Sequence, residues 1–332
     1  MRSPRILVPT IIALSGWLLW PQQGQAISIV PPSLEFGVQP GQTVKTSIKL
    51  YNEEDRAYAL FSSVSNFTAY GEEGEPTFDF AEQRSDLAGW IDVGAGPYTL
   101  KPGDRIEVPI EINVPPEAEP GGHYASVFFG TEPSPKQEGG GQVAVRSLVG
   151  TLIILRVEGQ VQESGSILEF KPTGSKSKSR LPVDLLLRIR NDGNVHFRPK
   201  GTVIVRNIFG GESARLTAND TNGAVLPDSV RRFEVTWQKP DSKDQSGNFF
   251  SEFGAEWRNF GFGPYTATAT VMYGQSDLTL QATTQFTIIP WRVLLMVLVV
   301  LVILILILTV GLKRYNAAVI RHAQQKPPTA GK

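Results

Sequence analysis

The sequence predicts an all-β protein: two tandem immunoglobulin-like β-sandwich domains followed by one transmembrane helix. Several stretches alternate strictly between apolar and polar residues, as half-buried strands do. Three segments of the first half recur in order in the second, and an uncharged run of twenty residues, 293–312, stands near the C-terminal end.

The chain opens with Arg2 and Arg5, an apolar stretch from Ile6 to Trp20, and the small residues of Gly24-Gln25-Ala26. That order reads as a signal peptide over 1–26, with Ile27 starting the mature chain. In domain 1, residues 27–160, Ile106, Val108, Ile110, Ile112 and Val114 share one strand face, with Glu107, Glu111 and Asn113 on the other. Pro109 has no N–H to give a ladder, so its strand is expected at an edge or a bulge. In domain 2, residues 161–289, Val183, Leu185, Leu187 and Ile189 alternate in the same way.

The recurring segments pair "VKTSIKLYNEEDRAY" with "VDLLLRIRNDGNVHF", "LKPGDRIEVPIEI" with "LPDSVRRFEVTWQ", and "GGHYASVFFG" with "FGPYTATATVMYG". The alignment places Asn52 against Asn191 and Tyr124 against Tyr265. A duplicated unit of about seven short strands, with a Tyr opening the penultimate one, suggests the immunoglobulin-like sandwich. Asn191-Asp192-Gly193-Asn194 then falls between two strands and reads as a turn, since these residues tolerate positive φ and bond their own backbone. The competing reading, a metal cage with His196, has no second ligand cluster nearby in the sequence.

Val293 to Leu312 carries no charge and no polar face. At about 1.5 Å per residue it spans a hydrocarbon core of roughly 30 Å. Lys313, Arg314 and Arg321 follow it, so the tail 313–332 is expected in the cytoplasm and the bulk of the chain outside the cell membrane. Cysteine is absent, so each outer domain must be held by its own core. Residues 27–160 carry 19 acidic and 9 basic side chains, a net of −10, and 161–289 carry 13 and 15, a net of +2. Neither balance suits a nucleic-acid partner.

Motifs for chemistry are sparse. His123, His196 and His322 are the only histidines, and none has metal-pair spacing. Ser175-Lys176-Ser177-Lys178 matches a serine-nucleophile pattern, but it lies in the low-complexity run "KPTGSKSKSR" without partner motifs. No catalytic residue, metal ligand or cofactor is therefore assigned. An enzyme built on His123 or His196 stays only as a third hypothesis.

The segments "IVPPSLEFGVQPGQ", "VRSLVGTLIIL", "NDGNVHFRPKGTVIVRNIFG" and "FGPYTATATVMYG", with "IIPW" before the span, resemble the WxL-interacting proteins of Gram-positive-type cell surfaces. The resemblance implies a peptidoglycan-binding first domain and a second domain that binds surface proteins. The expected function is thus a non-enzymatic, membrane-anchored surface binding or adhesion protein, its partner cell-wall glycan or a surface protein. The alternative is an anchored relative of pilus-type chaperones that binds an exported subunit by strand addition.

Alternating strand connections place two groups of residues. Lys176, Lys178 and Arg180 fall at the membrane-facing end of domain 2 with Phe250, Phe253, Trp257 and Phe260 of the 249–262 connection. These rings either plug the sandwich or touch the bilayer surface. Glu53, Glu54 and Asp55 fall in the Asn52–Arg56 connection, a distal partner-binding loop, together with 132–141.

Overall fold

The computed structural model describes residues 27–78, 80, 85–131, 148–239 and 247–324. The expected signal peptide, the 132–141 connection and tail residues 325–332 lie outside the described residues. The chain divides into two compact units. One comprises residues up to Phe67 with Phe78–Gln160, and the other Thr68–Thr77 with Val161 onward.

The first unit contains β1 (Ile27–Val30), β2 (Ser33–Val38), β3 (Thr43–Asn52), β4 (Tyr58–Tyr70) and β5 (Glu75–Phe78), whose connecting tip belongs to the second unit. Then come α1 (Asp86–Trp90), β6 (Ile91–Asp92), β7 (Tyr98–Leu100), β8 (Arg105–Asn113), β9 (Gly121–Thr131) and β10 (Leu148–Val157). One sheet runs β1-β3-β8-β6 and the other β2-β10-β9-β4-β5, with β7 also on β4. The chain changes sheet within its first strands: β1 pairs antiparallel with β3, and β2 pairs parallel with β10. The change falls at Pro31-Pro32, where no N–H is available to continue either ladder.

Alternation decides what faces inward. Ile48 and Leu50 of β3 and Val108, Ile110 and Ile112 of β8 are buried against Ala125, Val127 and Phe129 of β9 and Ile153 and Leu155 of β10. Pro109 sits opposite Ser47, while β6 reaches only Glu111 and Ile112, so Pro109 lies on the open side of β8, as its missing N–H requires.

The second unit contains β11 (Gly165–Pro172), β12 (Ser177–Lys178), β13 (Val183–Asn191), β14 (Lys200–Asn207), β15 (Glu212–Thr217) and β16 (Val230–Trp237). It continues through α2 (Phe249–Arg258), β17 (Gly263–Tyr273), β18 (Leu278–Ile288) and α3 (Trp291–Gln324). Its sheets run β11-β13-β16 and β12-β18-β17-β14-β15. Val183, Leu185, Leu187 and Ile189 are fully buried. The fold is thus mostly β, with two immunoglobulin-like sandwiches and one long apolar C-terminal helix.

The duplication extends to side-chain hydrogen bonds. Asn191 is buried; its amide donates to the carbonyls of Val195 and Val225, both at 2.9 Å, and its Oδ1 accepts from Gly193 N–H. Asn52 does the same work, donating to Arg56, Leu100 and Lys101 carbonyls and accepting from Glu54 N–H. The cluster is a turn built around a buried amide.

The other alignments need correction. Core positions are Ala125, Val127 and Phe129 in β9, and Ala267, Ala269, Val271 and Tyr273 in β17. A shift that keeps inward residues inward must be even, so Tyr124 and Tyr265 cannot be equivalent. Tyr124 packs on Phe67 with ring centroids 5.8 Å apart, on the sheet's outer face, whereas Tyr265 stacks on Phe286 among the core residues. Likewise Val108, Ile110 and Ile112 match Phe233, Val235 and Trp237 only after a one-residue slip.

Two further expectations change. The 249–262 connection contains a ten-residue helix, capped by Asn248, whose side chain accepts from Ser251 N–H at 3.0 Å. Within "KPTGSKSKSR", Ser177 and Lys178 form a short strand parallel to β18. Arg188, the outward neighbour of Leu187, is not idle either. Within the second unit its guanidinium holds both oxygens of Glu72.

Leu187→Ala is expected to cost about 2–5 kcal/mol in the unfolding of the second unit, read by denaturant titration. Asn191→Ala should cost about 1–3 kcal/mol, because it leaves buried carbonyls without donors.

Candidate functional site

Backbone pairing singles out one place in the first unit. β10 pairs with β9 along its whole length, from Leu148↔Gly130 to Val157↔Gly121. On its other side β2 covers only Leu152 to Val157. Leu152 N–H donates to Pro32 O and Glu158 N–H to Val38 O, so even-numbered residues direct their backbone groups to the β2 side. By alternation the N–H and C=O of Leu148 and Gly150 point the same way, where no described strand pairs with them, although β1 passes close to β10. Thr151 closes the gap: its hydroxyl donates to Pro31 O at 2.8 Å.

Most other strand edges are short or guarded; the side of β18 that β12 leaves unpaired, Leu278–Phe286, is the exception in the second unit. β2 carries Glu35, β5 carries Glu75 and Pro76, β15 carries Glu212 and Arg215, and β16 carries Arg231, Arg232 and Glu234. β11 has a bulge after Ile167 and ends in Lys171-Pro172, while β1 and β6 have only four and two residues. Charges, proline, bulges and short length are the devices that stop unwanted pairing. Leu148-Val149-Gly150-Thr151 has none of them.

Beside that edge lies an aromatic bed on the sheet's outer face. Phe128 projects over Gly150, where a Cβ would sit 2.7 Å from its Cδ1. Phe78 and Phe80 pack on Phe128 at 4.8 and 5.1 Å, and Phe80 is exposed. Such rings can receive alternate side chains of an added strand.

The second site is the junction of the second unit with α3, which is long and apolar enough to cross a membrane. The helix begins three residues after β18 and runs on past the expected span end, Leu312, to Gln324. Its first turn has N–H groups without intrahelical partners. Glu256, fully buried on α2, accepts from the N–H of Arg292 at 2.9 Å and of Val293 at 3.2 Å, and from the Arg292 guanidinium at 2.7 Å. A carboxylate at a helix N-terminus is also favoured by the helix dipole. Arg180 pairs with Glu252 on the same helix, and its hydrogen bond holds the Glu252 carboxyl below the usual range.

Of the expected membrane-proximal residues, Arg180 meets α2, which carries Phe250, Phe253 and Trp257, while Lys176 and Lys178 lie beside the end of β18. Phe250 is 70 % and Trp257 63 % exposed, and Phe260 is exposed too, so these rings do not plug the sandwich; Phe253 is half-buried and stacks on Trp257. The basic residues are largely engaged: Lys178 donates to Thr173 O, Lys171 pairs with Glu169, and Arg180 holds Glu252. Lys176 is exposed, its carbonyl accepting from Thr287 N–H. In the first unit Glu53 and Asp55 are exposed, whereas Glu54 is held by Arg56 and Tyr58. The Tyr58 hydrogen bond lowers the Glu54 pKa.

His123 has a structural role. His123 engages Asp86 through Nδ1 and Glu119 O through Nε2, with Trp90 against its ring, which fastens α1 to β9. His196 is buried beside the Asn191 turn. Among the described residues no group of three His, Cys, Asp or Glu side chains could hold a metal.

No family model matches the chain, and no curated protein matches it. Among solved structures it is similar to the class 5 fimbriae chaperone CfaA, at 12 % identity and TM-score 0.39, over 78 % of this chain and 99 % of that one. It is also similar to the Pseudomonas aeruginosa CupB2 chaperone, at 8 % identity and TM-score 0.32, over 79 % and 100 % of the two chains. The E. coli chaperone DraB matches at 11 % identity and TM-score 0.33, over 79 % and 97 %.

Two outcomes follow from these sites. Glu256→Ala should destabilise the second unit of the full chain in detergent by about 1.5–3 kcal/mol, and Glu256→Gln by less, since an amide oxygen still accepts the two N–H bonds. Burial alone would lower the His123 pKa, but the Asp86 and Glu119 contacts outweigh it and raise the value. The stabilisation is therefore complete below the unfolded value of about 6.5 and lost as pH rises through the folded one. Between pH 6 and pH 8 the melting temperature of the native chain should fall more than that of His123→Gln.

Proposed function

We propose that this chain is a membrane-anchored, non-enzymatic binding protein that holds an extended segment of an exported protein by adding it as a strand to β10. The observation that carries the reading is the half-covered strand: β2 pairs with Leu152–Val157 and leaves Leu148 and Gly150 without a described strand partner on that side. An added strand would continue the line of β2, gain main-chain hydrogen bonds from Leu148 and Gly150, and set alternate side chains beside Phe128. Affinity would come from backbone pairing, and selectivity from the apolar residues that suit the bed.

The resemblance to WxL-interacting proteins supports a surface protein as the occupant. It also supports the rival reading, in which the first unit binds cell-wall glycan. Hydrogen exchange separates the two on full-length protein in nanodiscs, offered surface-protein extract or purified peptidoglycan. Strand addition should slow exchange of the Leu148 and Gly150 amides with the protein extract only. Leu148→Pro removes an outward N–H while sparing the β9 ladder, so it should abolish capture with little change in melting temperature. Protection by peptidoglycan, or capture undiminished by Leu148→Pro, would overturn the reading.

A further inference from the structure

Ile208 and Phe209 form the tip of the β14–β15 hairpin, and they are 68 % and 93 % exposed. The tip is no loose loop. Asn207 Oδ1 accepts from the N–H of Phe209 and of Gly211, both at 3.0 Å, and Gly210 takes φ +79°. Asn207 N–H and Gly211 O close the turn at 3.0 Å. A built turn thus presents two large apolar side chains to the outside, a pattern that marks a contact surface.

Register shows which end of the unit this is. Asn207 lies opposite Tyr265, and Tyr265 opposite Phe286, near the end of β18 from which the chain enters α3. β14 stands two strands from β18, so the tip is about 10 Å to the side of the helix start. On the other flank, Glu256 fixes α2 to the first turn of α3, and Phe250, Trp257 and Trp291 are exposed there.

From this geometry we infer that the β14–β15 tip is a second lipid contact, and that Ile208 and Phe209 enter the headgroup and upper acyl region of the leaflet facing the second unit. The unit then rests on its span, on the α2 rings and on the hairpin tip, and contacts besides the span restrict its tilt. The occupant is lipid because the tip lies at the same end as the membrane helix, with only Ile289 and Pro290 between that helix and β18. Apolar insertion dominates, since Arg180, Lys178 and Lys171 are engaged within the protein. Contact should therefore persist at high salt.

The inference rests on α3 being the span, and the test keeps the two apart. The chain has no cysteine, so single nitroxide labels can be placed by Phe209→Cys, Leu304→Cys and Ser276→Cys. The full protein is reconstituted at low density in phosphatidylcholine–phosphatidylglycerol vesicles, and label accessibility to oxygen and to a water-soluble nickel chelate is measured. Leu304→Cys should favour oxygen, and Ser276→Cys, in the turn at the far end of β17 and β18, the chelate. Phe209→Cys should shift several-fold from the second pattern toward the first, at low and high salt alike. A 209 label as open to the chelate as the 276 label, while 304 reads lipid, would overturn this inference and leave the anchor standing. A 304 label open to the chelate would overturn both. Shielding at 209 only at high protein density would overturn lipid contact in favour of a second copy of the chain.

Discussion

Each strand at the edge of a sheet exposes backbone donors and acceptors that must find water or a partner. In a cysteine-free chain of two sandwiches, that constraint shapes both units more than any single contact. It explains why the first strand pair splits at Pro31-Pro32, so that β1 closes one sheet and β2 most of the other. It also explains the charges on β5, β15 and β16 and the proline of β5. The stretch from Leu148 to Thr151 departs from this protection, and the departure lies beside aromatic rings that would welcome apolar side chains.

The same accounting governs the lower end of the second unit. A helix cannot leave its first N–H groups unpaired where protein excludes water. Glu256 meets that need from a neighbouring helix, and its burial is tolerable because Arg292 and two backbone donors surround it. The price is rigidity: α2, the end of β18 and the start of α3 become one piece. The second sandwich then holds a set relation to the start of α3.

Much of the fold was legible because strand alternation is a local signal. Val183 to Ile189 and Ile106 to Val114 read correctly from period alone; the strand of Pro109 is neither an edge nor bulged, and β6 simply stops short of the proline. The Asn52–Asn191 equivalence was legible because both residues end an alternating run. The Tyr124–Tyr265 match failed for a physical reason: a resemblance of letters does not respect the pleat, and an odd shift reverses every side chain. The helix at 249–258 was obscured by its aromatics, which look like strand or loop residues, although Asn248 with Glu252 in the first turn is a start signal. Topology put Arg180 at the same end as the 249–262 connection, yet its pairing was not legible, since Arg180 and Glu252 are 72 positions apart. The hairpin tip at Ile208-Phe209 was passed over because two apolar residues carry no period. The open side of β10 could not be read at all. It depends on where β2 begins, which only the pairing shows.

Site-specific photocrosslinking in living cells tests the strand-addition claim most directly. A photoreactive residue would replace Leu148 in one strain and Thr217, at the end of the charged β15 edge, in another. The account predicts covalent adducts to an exported protein from position 148, through an extended segment rich in alternate apolar residues, and none from position 217. Equal adducts from both positions, or cell-wall glycan attached at 148, would contradict it.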